Sequence, residues 1–242
     1  MQRMVLSRRG SLSTSPPYMS FAESYSDWLL QLQPGIKLPR GTHWLNPYEE
    51  QEIPNAVRSF YNSFYKGKRK RILLLGINPG RLGAGLTGIA FTDPVQLTRL
   101  CGKEYGLPQK AEHSATFIHA MIETYGGMHV FARHFLLAAM CPLGLIKDGK
   151  NYNYYDDPAL LKSVTPFIEK CIDEQLAIGG RTDAVICIGE GKNRTVLENL
   201  NSKKRWFRSI HTLPHPRWVM QYRRKHTDFY VSQYVNLLQE LG

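Results

Sequence analysis

Arg71-Ile72-Leu73-Leu74-Leu75-Gly76-Ile77, followed at once by Asn78-Pro79-Gly80, is the stretch on which the fold turns. An unbroken apolar run of strand length that stops at a Pro-Gly turn reads as a strand buried on both faces, because a strand with one wet face alternates polar and apolar residues. Three more runs of this kind follow, at Phe135–Cys141, Ala184–Ile188 and Phe207–Leu213. Helical periodicity separates them over residues 111–125, 158–177 and 193–200, and a last helix is expected over about 221–241. Two earlier helical stretches, 21–32 and 55–65, precede the first strand. Strands alternating with helices predict an α/β fold: a three-layer α/β/α sandwich around a central, mainly parallel four-stranded sheet. Residues 71–242 form the α/β core and residues 21–70 a helical cap on it, the two making one domain. Sites in such sheets gather at the carboxyl ends of the strands, which singles out the loops 78–91, 142–145, 189–193 and 214–218.

Composition narrows the function classes. With 43% hydrophobic residues the chain can bury a core, which excludes a disordered or collagen-like protein. No apolar run reaches the roughly 20 residues of a membrane helix. A soluble protein with no membrane partner is expected, cytoplasmic at the nucleoid of a bacterium or nuclear in a eukaryote. Cys101, Cys141, Cys171 and Cys187 have no close pair and read as reduced thiols. They lack the spacings of zinc and iron–sulfur sites, so neither a metal nor a cofactor is expected. Gly189-Glu190-Gly191-Lys192-Asn193 fails the phosphate-loop pattern at Ile186 and Asn193 and reads as a strand-to-helix turn.

The charge is 31 − 20 = +11 and is unevenly spread. Lys203, Lys204, Arg205, Arg208, Arg217, Arg223, Arg224 and Lys225 fall in residues 203–226 with no acid among them. Trp206, Phe207, Trp218 and Tyr222 interleave with these cations, a combination that suits phosphates and unstacked bases. The first 20 residues are Ser-rich and carry Arg3, Arg8 and Arg9 without acids. A transit-like segment, a basic arm and a start upstream of the true one at Met19 all remain open there.

Gly76-Ile77-Asn78-Pro79-Gly80-Arg81-Leu82-Gly83-Ala84-Gly85-Leu86-Thr87-Gly88-Ile89-Ala90-Phe91 resembles, without gaps, the first active-site motif of the single-strand-selective monofunctional uracil-DNA glycosylases. Cys141-Pro142-Leu143 and His215-Pro216 resemble that superfamily's later anchors, in the right order. The resemblance covers about residues 70–240. It implies a glycosylase acting on single- or double-stranded DNA as a monomer, flipping out uracil, with room for other deaminated bases, and excising it to start base excision repair. It gives Asn78 and His215 catalytic roles, Asn78 holding the attacking water and His215 donating to a base carbonyl, with His211 as the spare donor. Gly76, Ile77, Gly80, Phe91, Ala139 and Met140 would bind the base, with Phe91 stacking on it. The glycines at 80, 83, 85 and 88 would let backbone N–H groups approach the nucleotide. Arg217, Trp218, Val219, Met220, Arg223, Arg224 and Lys225 would meet the DNA, Val219 and Met220 as an apolar wedge and the last three as phosphate contacts.

Two departures from the family pattern bear on function. Ala139 stands where the family has an Asn that reads the Watson–Crick edge of uracil, which loosens the expected base selectivity. The family's His-Pro-Ser-Pro-Arg becomes Pro214-His215-Pro216-Arg217-Trp218, and a register on Pro-x-Pro-Arg would place Leu213 at the catalytic histidine; the His-Pro register keeps a donor there. Two other functions stay open: a nucleic-acid-binding protein with little or no turnover, and a hydrolase of free nucleosides or nucleotides.

Overall fold

A computed structural model of the protein describes residues 19–242, so most of the basic segment at 1–20 lies outside the described residues. The chain enters through helix α1 (Phe21–Leu30), closed at its start by Ser20 and Glu23, each accepting from the other's backbone. Strand β1 (Thr42–Leu45) and helix α2 (Ile53–Phe64) follow. The stretch expected as purely helical thus contains a strand, and its partner explains why: β1 pairs antiparallel with β4, about a hundred residues on, so nothing local announces it. Next come β2 (Arg71–Gly76), the short helices α3 (Ala84–Thr87) and α4 (Pro94–Cys101), then α5 (His113–Tyr125), α6 (Met128–His134) and β3 (Phe135–Ala139). A hairpin of β4 (Gly144–Lys147) and β5 (Lys150–Asn151) leads to the long α7 (Pro158–Ile178), β6 (Gly180–Ile188), α8 (Lys192–Lys204) and β7 (Ser209–Leu213). Helices α9 (Pro216–Tyr222) and α10 (Thr227–Leu241) close the chain.

The central sheet runs β3-β2-β6-β7 with every neighbour parallel, the four strands expected from the apolar runs. From β2 the chain steps one way to reach β3, then the other way to β6 and β7. Right-handed crossovers therefore place α5 on one face and α7 and α8 on the other. The packing agrees: α5 lies against α9 and α10, while α1 lies against α7. All six residues of β2 are buried, as a strand covered on both faces must be. Arg71 is buried too, its guanidinium 4.3 Å from the centre of the Phe21 ring and donating to the carbonyls of Ala132, Arg69 and Lys66. Cap and sheet are joined at that point by a charge each of whose three nitrogens donates to a carbonyl.

Candidate active site

The carboxyl ends of β2 and β3 open into a cleft of about 480 Å³. Asn78 stands on its wall, two residues past β2. Its Oδ1 accepts from the Tyr154 N–H at 3.1 Å, and its Nδ2 donates to the Tyr152 carbonyl at 3.1 Å. A backbone donor on one side and a backbone acceptor on the other leave one orientation for the amide, with a lone pair of Oδ1 still free. Tyr154 is itself anchored: its hydroxyl donates at 2.6 Å to Oδ1 of buried Asn193, whose Nδ2 donates to the Ile188 carbonyl. The turn between β6 and α8, which resembled a weak phosphate loop, thus serves to brace the loop that aims Asn78.

Phe91 reaches the cleft from a strained turn. Its φ is +53°, a conformation costly for a residue with a side chain, and the surroundings enforce it. Thr87 Oγ1 donates to the Thr92 carbonyl at 2.6 Å and accepts from the Ile89 N–H at 3.2 Å, while Thr92 Oγ1 lies 3.2 Å from Nε2 of buried His119. Gly76 makes the room: a Cβ there would stand 2.5 Å from Phe91 Cζ. The other glycines of the motif correct the expectation placed on them. Gly83 and Gly85 both donate their N–H to the Gly80 carbonyl, so those donors face the protein. Gly85 is small because a Cβ would meet Gly80 O and Leu45 at 2.6 Å, and Gly88 turns the chain at φ +71°.

His215 sits at the start of α9, its ring centre 6.4 Å from that of Phe91. Nδ1 accepts from the Arg217 N–H at 3.2 Å, which caps the helix and fixes the neutral tautomer with its proton on Nε2. Burial, with Arg217 nearby, pushes its pKa down to about 4, so the ring is neutral at pH 7. Buried Tyr234 of α10 donates to the carbonyl of Pro214 and holds this loop in place. His211 lies on β7 beside Ser209 and does not line the cleft.

Gly76, Ile77, Gly80 and Ala139 all line the cleft, with Ala138 beside Ala139. Met140 does not: it is fully buried, its N–H donating to the Gly76 carbonyl and extending the β2–β3 pairing past the strand ends. Val219 is also fully buried, because helical spacing turns it inward with Pro216, and Met220 is half-buried against the core, so neither stands out as a wedge. The apolar groups exposed at the cleft rim are Leu82, Trp218 and Tyr222. Arg217 lines the cleft, and Arg223, Arg224 and Lys225 lie just beyond it.

The basic run is not one surface. Lys203, Lys204, Arg205 and Arg208 precede β7 and so lie at the amino end of the sheet, while the other four follow it at the carboxyl end. Trp206 and Phe207 are core residues, Trp206 donating to Asp173 at 2.6 Å, and Lys204 pairs with Glu169 and Asp173. Of the four loops expected at the site, 78–91 and 214–218 supply lining residues of the cleft; 142–145 and 189–193 supply none. Glu112, His113 and Ser114 from the start of α5, Asn151 at the end of β5, and Asn153 and Tyr155 just after it complete the wall and carry no signal in the sequence analysis. The hairpin had a sequence signal: Asp148-Gly149, with φ of +49° and +68°, is the dipeptide of a tight two-residue turn.

Comparison with known proteins places this geometry in context. The family model of the uracil DNA glycosylase superfamily matches residues 63–239. The crystal structure of wild-type Pedobacter heparinus SMUG2 is similar with a TM-score of 0.88 and 39% identity, over 93% of this chain and 99% of that one. No curated protein matches the sequence.

Proposed function

Since the chain belongs to the uracil DNA glycosylase superfamily, and is thus a DNA glycosylase that hydrolyses N-glycosyl bonds, we propose that it flips uracil out of DNA into the cleft described above and excises it without cutting the strand, initiating base excision repair. The observation that carries this reading is the convergence of Asn78, Phe91 and His215 on one cleft from three separate stretches of chain.

The reaction breaks the bond between C1′ and the base through an oxocarbenium-like state, so the enzyme must place a water at C1′ and stabilise the electron pair that leaves with the base. Asn78 holds the water through the free lone pair of Oδ1. A carboxamide cannot take the water's proton outright, so catalysis rests chiefly on the leaving group. There His215 presents a neutral Nε2–H donor to a base carbonyl. A neutral donor in a desolvated site stabilises the developing anion without itself being an ion that had to be buried. Phe91 stacks on the base. The wall at Ala138 and Ala139 offers methyl groups where an amide would read the Watson–Crick edge, so base discrimination falls to the backbone and to Asn151 and Asn153 from the hairpin, and deaminated bases other than uracil are accepted in some measure.

The test incubates labelled single- and double-stranded oligonucleotides holding one deoxyuridine, then treats them with alkali, beside a free-deoxyuridine control. Cutting only after alkali supports the reading. Binding without cutting, or hydrolysis of the nucleoside alone, contradicts it.

A further inference from the structure

Beyond the cleft rim, where α9 turns into α10, lies a second groove of about 590 Å³, lined by Tyr222, Arg223, Arg224, Lys225, His226 and Phe229 among others. Among the described residues five large hydrophobic side chains are exposed, and three gather here or at its edge: Trp218 at 38%, Tyr222 at 59% and Phe229 at 67%. Exposed aromatics so concentrated mark a surface made to be covered. Two of them are also held in place. Trp218 and Phe229 both pack edge-on against Tyr230, with ring centres 6.0 and 5.3 Å away, and the Arg223 guanidinium lies 5.3 Å over Trp218. None of the residues lining the groove is acidic. Gln221 and Tyr222 line both the groove and the cleft, so one continues into the other.

We infer that this groove is a stacking platform for unpaired nucleotides of the same DNA strand, adjoining the one held in the cleft, with Phe229 and Tyr222 receiving bases and the cations meeting phosphates. The inference rests on the proposed action on DNA. Every base has a π-face, so aromatic rings beside cations recognise unstacked nucleotides of any sequence, whereas a duplex keeps its bases inside and cannot use the rings. A groove of about 590 Å³ has room for at least one nucleotide beside the one held in the cleft. Phe229 lines the groove and not the cleft, which separates its role from excision.

The test measures fluorescence anisotropy with labelled oligonucleotides carrying one tetrahydrofuran abasic analogue: a long single strand, the same strand trimmed to the site and its immediate neighbours, and the duplex. Phe229→Ala should bind the long single strand about five- to a hundred-fold more weakly, with its salt slope unchanged because no phosphate contact is lost. The loss should be absent on the trimmed strand and on the duplex, Phe229→Trp should restore affinity, and Tyr222→Ala should weaken long-strand binding likewise. Wild-type affinity of Phe229→Ala on the long strand, or an equal loss on all three probes, would overturn the inference. Weaker long-strand binding by Phe229→Ala, in a protein whose wild type cuts no deoxyuridine oligonucleotide, would remove the proposed excision and leave the platform standing; a wild type that binds none of the probes would remove both.

Discussion

Asn78 is gripped at both ends of its amide, and that grip says why an amide is there. Nδ2 donates to the Tyr152 carbonyl, so an aspartate would bring a carboxylate oxygen against a carbonyl oxygen. Asn78→Ala should lower kcat about a hundred-fold by losing the positioned water, with DNA affinity little changed, a split read from single-turnover rates beside binding curves. Asn78→Asp should not exceed the wild-type rate. It should also lose about 1–3 kcal/mol at neutral pH, less in acid, because the repulsion raises the carboxyl pKa and the penalty returns as pH rises and the group ionises. Thermal midpoints at two pH values read this out. His215 carries the opposite sign. Its folded pKa, about 4, lies below that of the unfolded chain, so the unfolded state takes up the proton first and stability falls as pH drops from about 6.5 towards 4. His119, pushed down to about 3 by burial, adds to the same slope. Excision under saturating DNA should show no histidine inflection near pH 6.5 and should decline only near pH 4; an inflection near 6.5 would mean that His215 titrates freely. At this scale the sequence was legible where residues share one contiguous motif, as Asn78 and Phe91 do. It was illegible for Thr87, whose work is to pin the turn that presents Phe91, and for Asn153, which reaches the cleft only through a hairpin.

Between residue and molecule the decisive part is the tie from β6–α8 to the loop after β5. Buried Asn193 accepts from the Tyr154 hydroxyl, and Tyr154 supplies the N–H that orients Asn78. Tyr154→Phe would leave Asn193 Oδ1 without that donor, which should cost about 1–3 kcal/mol in urea unfolding and lower kcat while sparing DNA affinity. A variant as stable and as active as wild type would show that the tie does not position Asn78. The four central strands could be read because each is a long apolar run buried on both faces. β1 could not, being four residues long and paired with β4 about a hundred residues on, so its register is written in tertiary contacts; β4 and β5, at four and two residues, are too short to show a strand period and leave only the Asp148-Gly149 turn between them as a signal. Helix α9 was read as a loop followed by a late helix, because its seven residues open on His215-Pro216 and carry only two inward positions, Pro216 and Val219. The resemblance placed Val219 on the DNA, and this helix turns it into the core instead.

Over the whole molecule, the basic run divides because a strand runs through it. β7 spans five residues, about 17 Å at strand rise, and separates four cations at the amino end of the sheet from four at the cleft end. Neutralising Arg223, Arg224 or Lys225 should weaken binding to any DNA sequence and flatten the salt dependence by about one unit or less each, whereas neutralising Lys203 or Arg205 should change neither. Affinity titrations across a salt series distinguish the two ends; equal effects from both would mean that DNA wraps the molecule and that the cleft end is not its only seat. The measurement that bears most directly on the account is alkali-dependent cutting of a deoxyuridine oligonucleotide by wild type, His215→Ala and His211→Ala side by side. The account predicts excision by wild type, a loss on the order of 10²–10³-fold for His215→Ala, and little change for His211→Ala. No excision by wild type, or a silent His215→Ala beside a crippled His211→Ala, would contradict it.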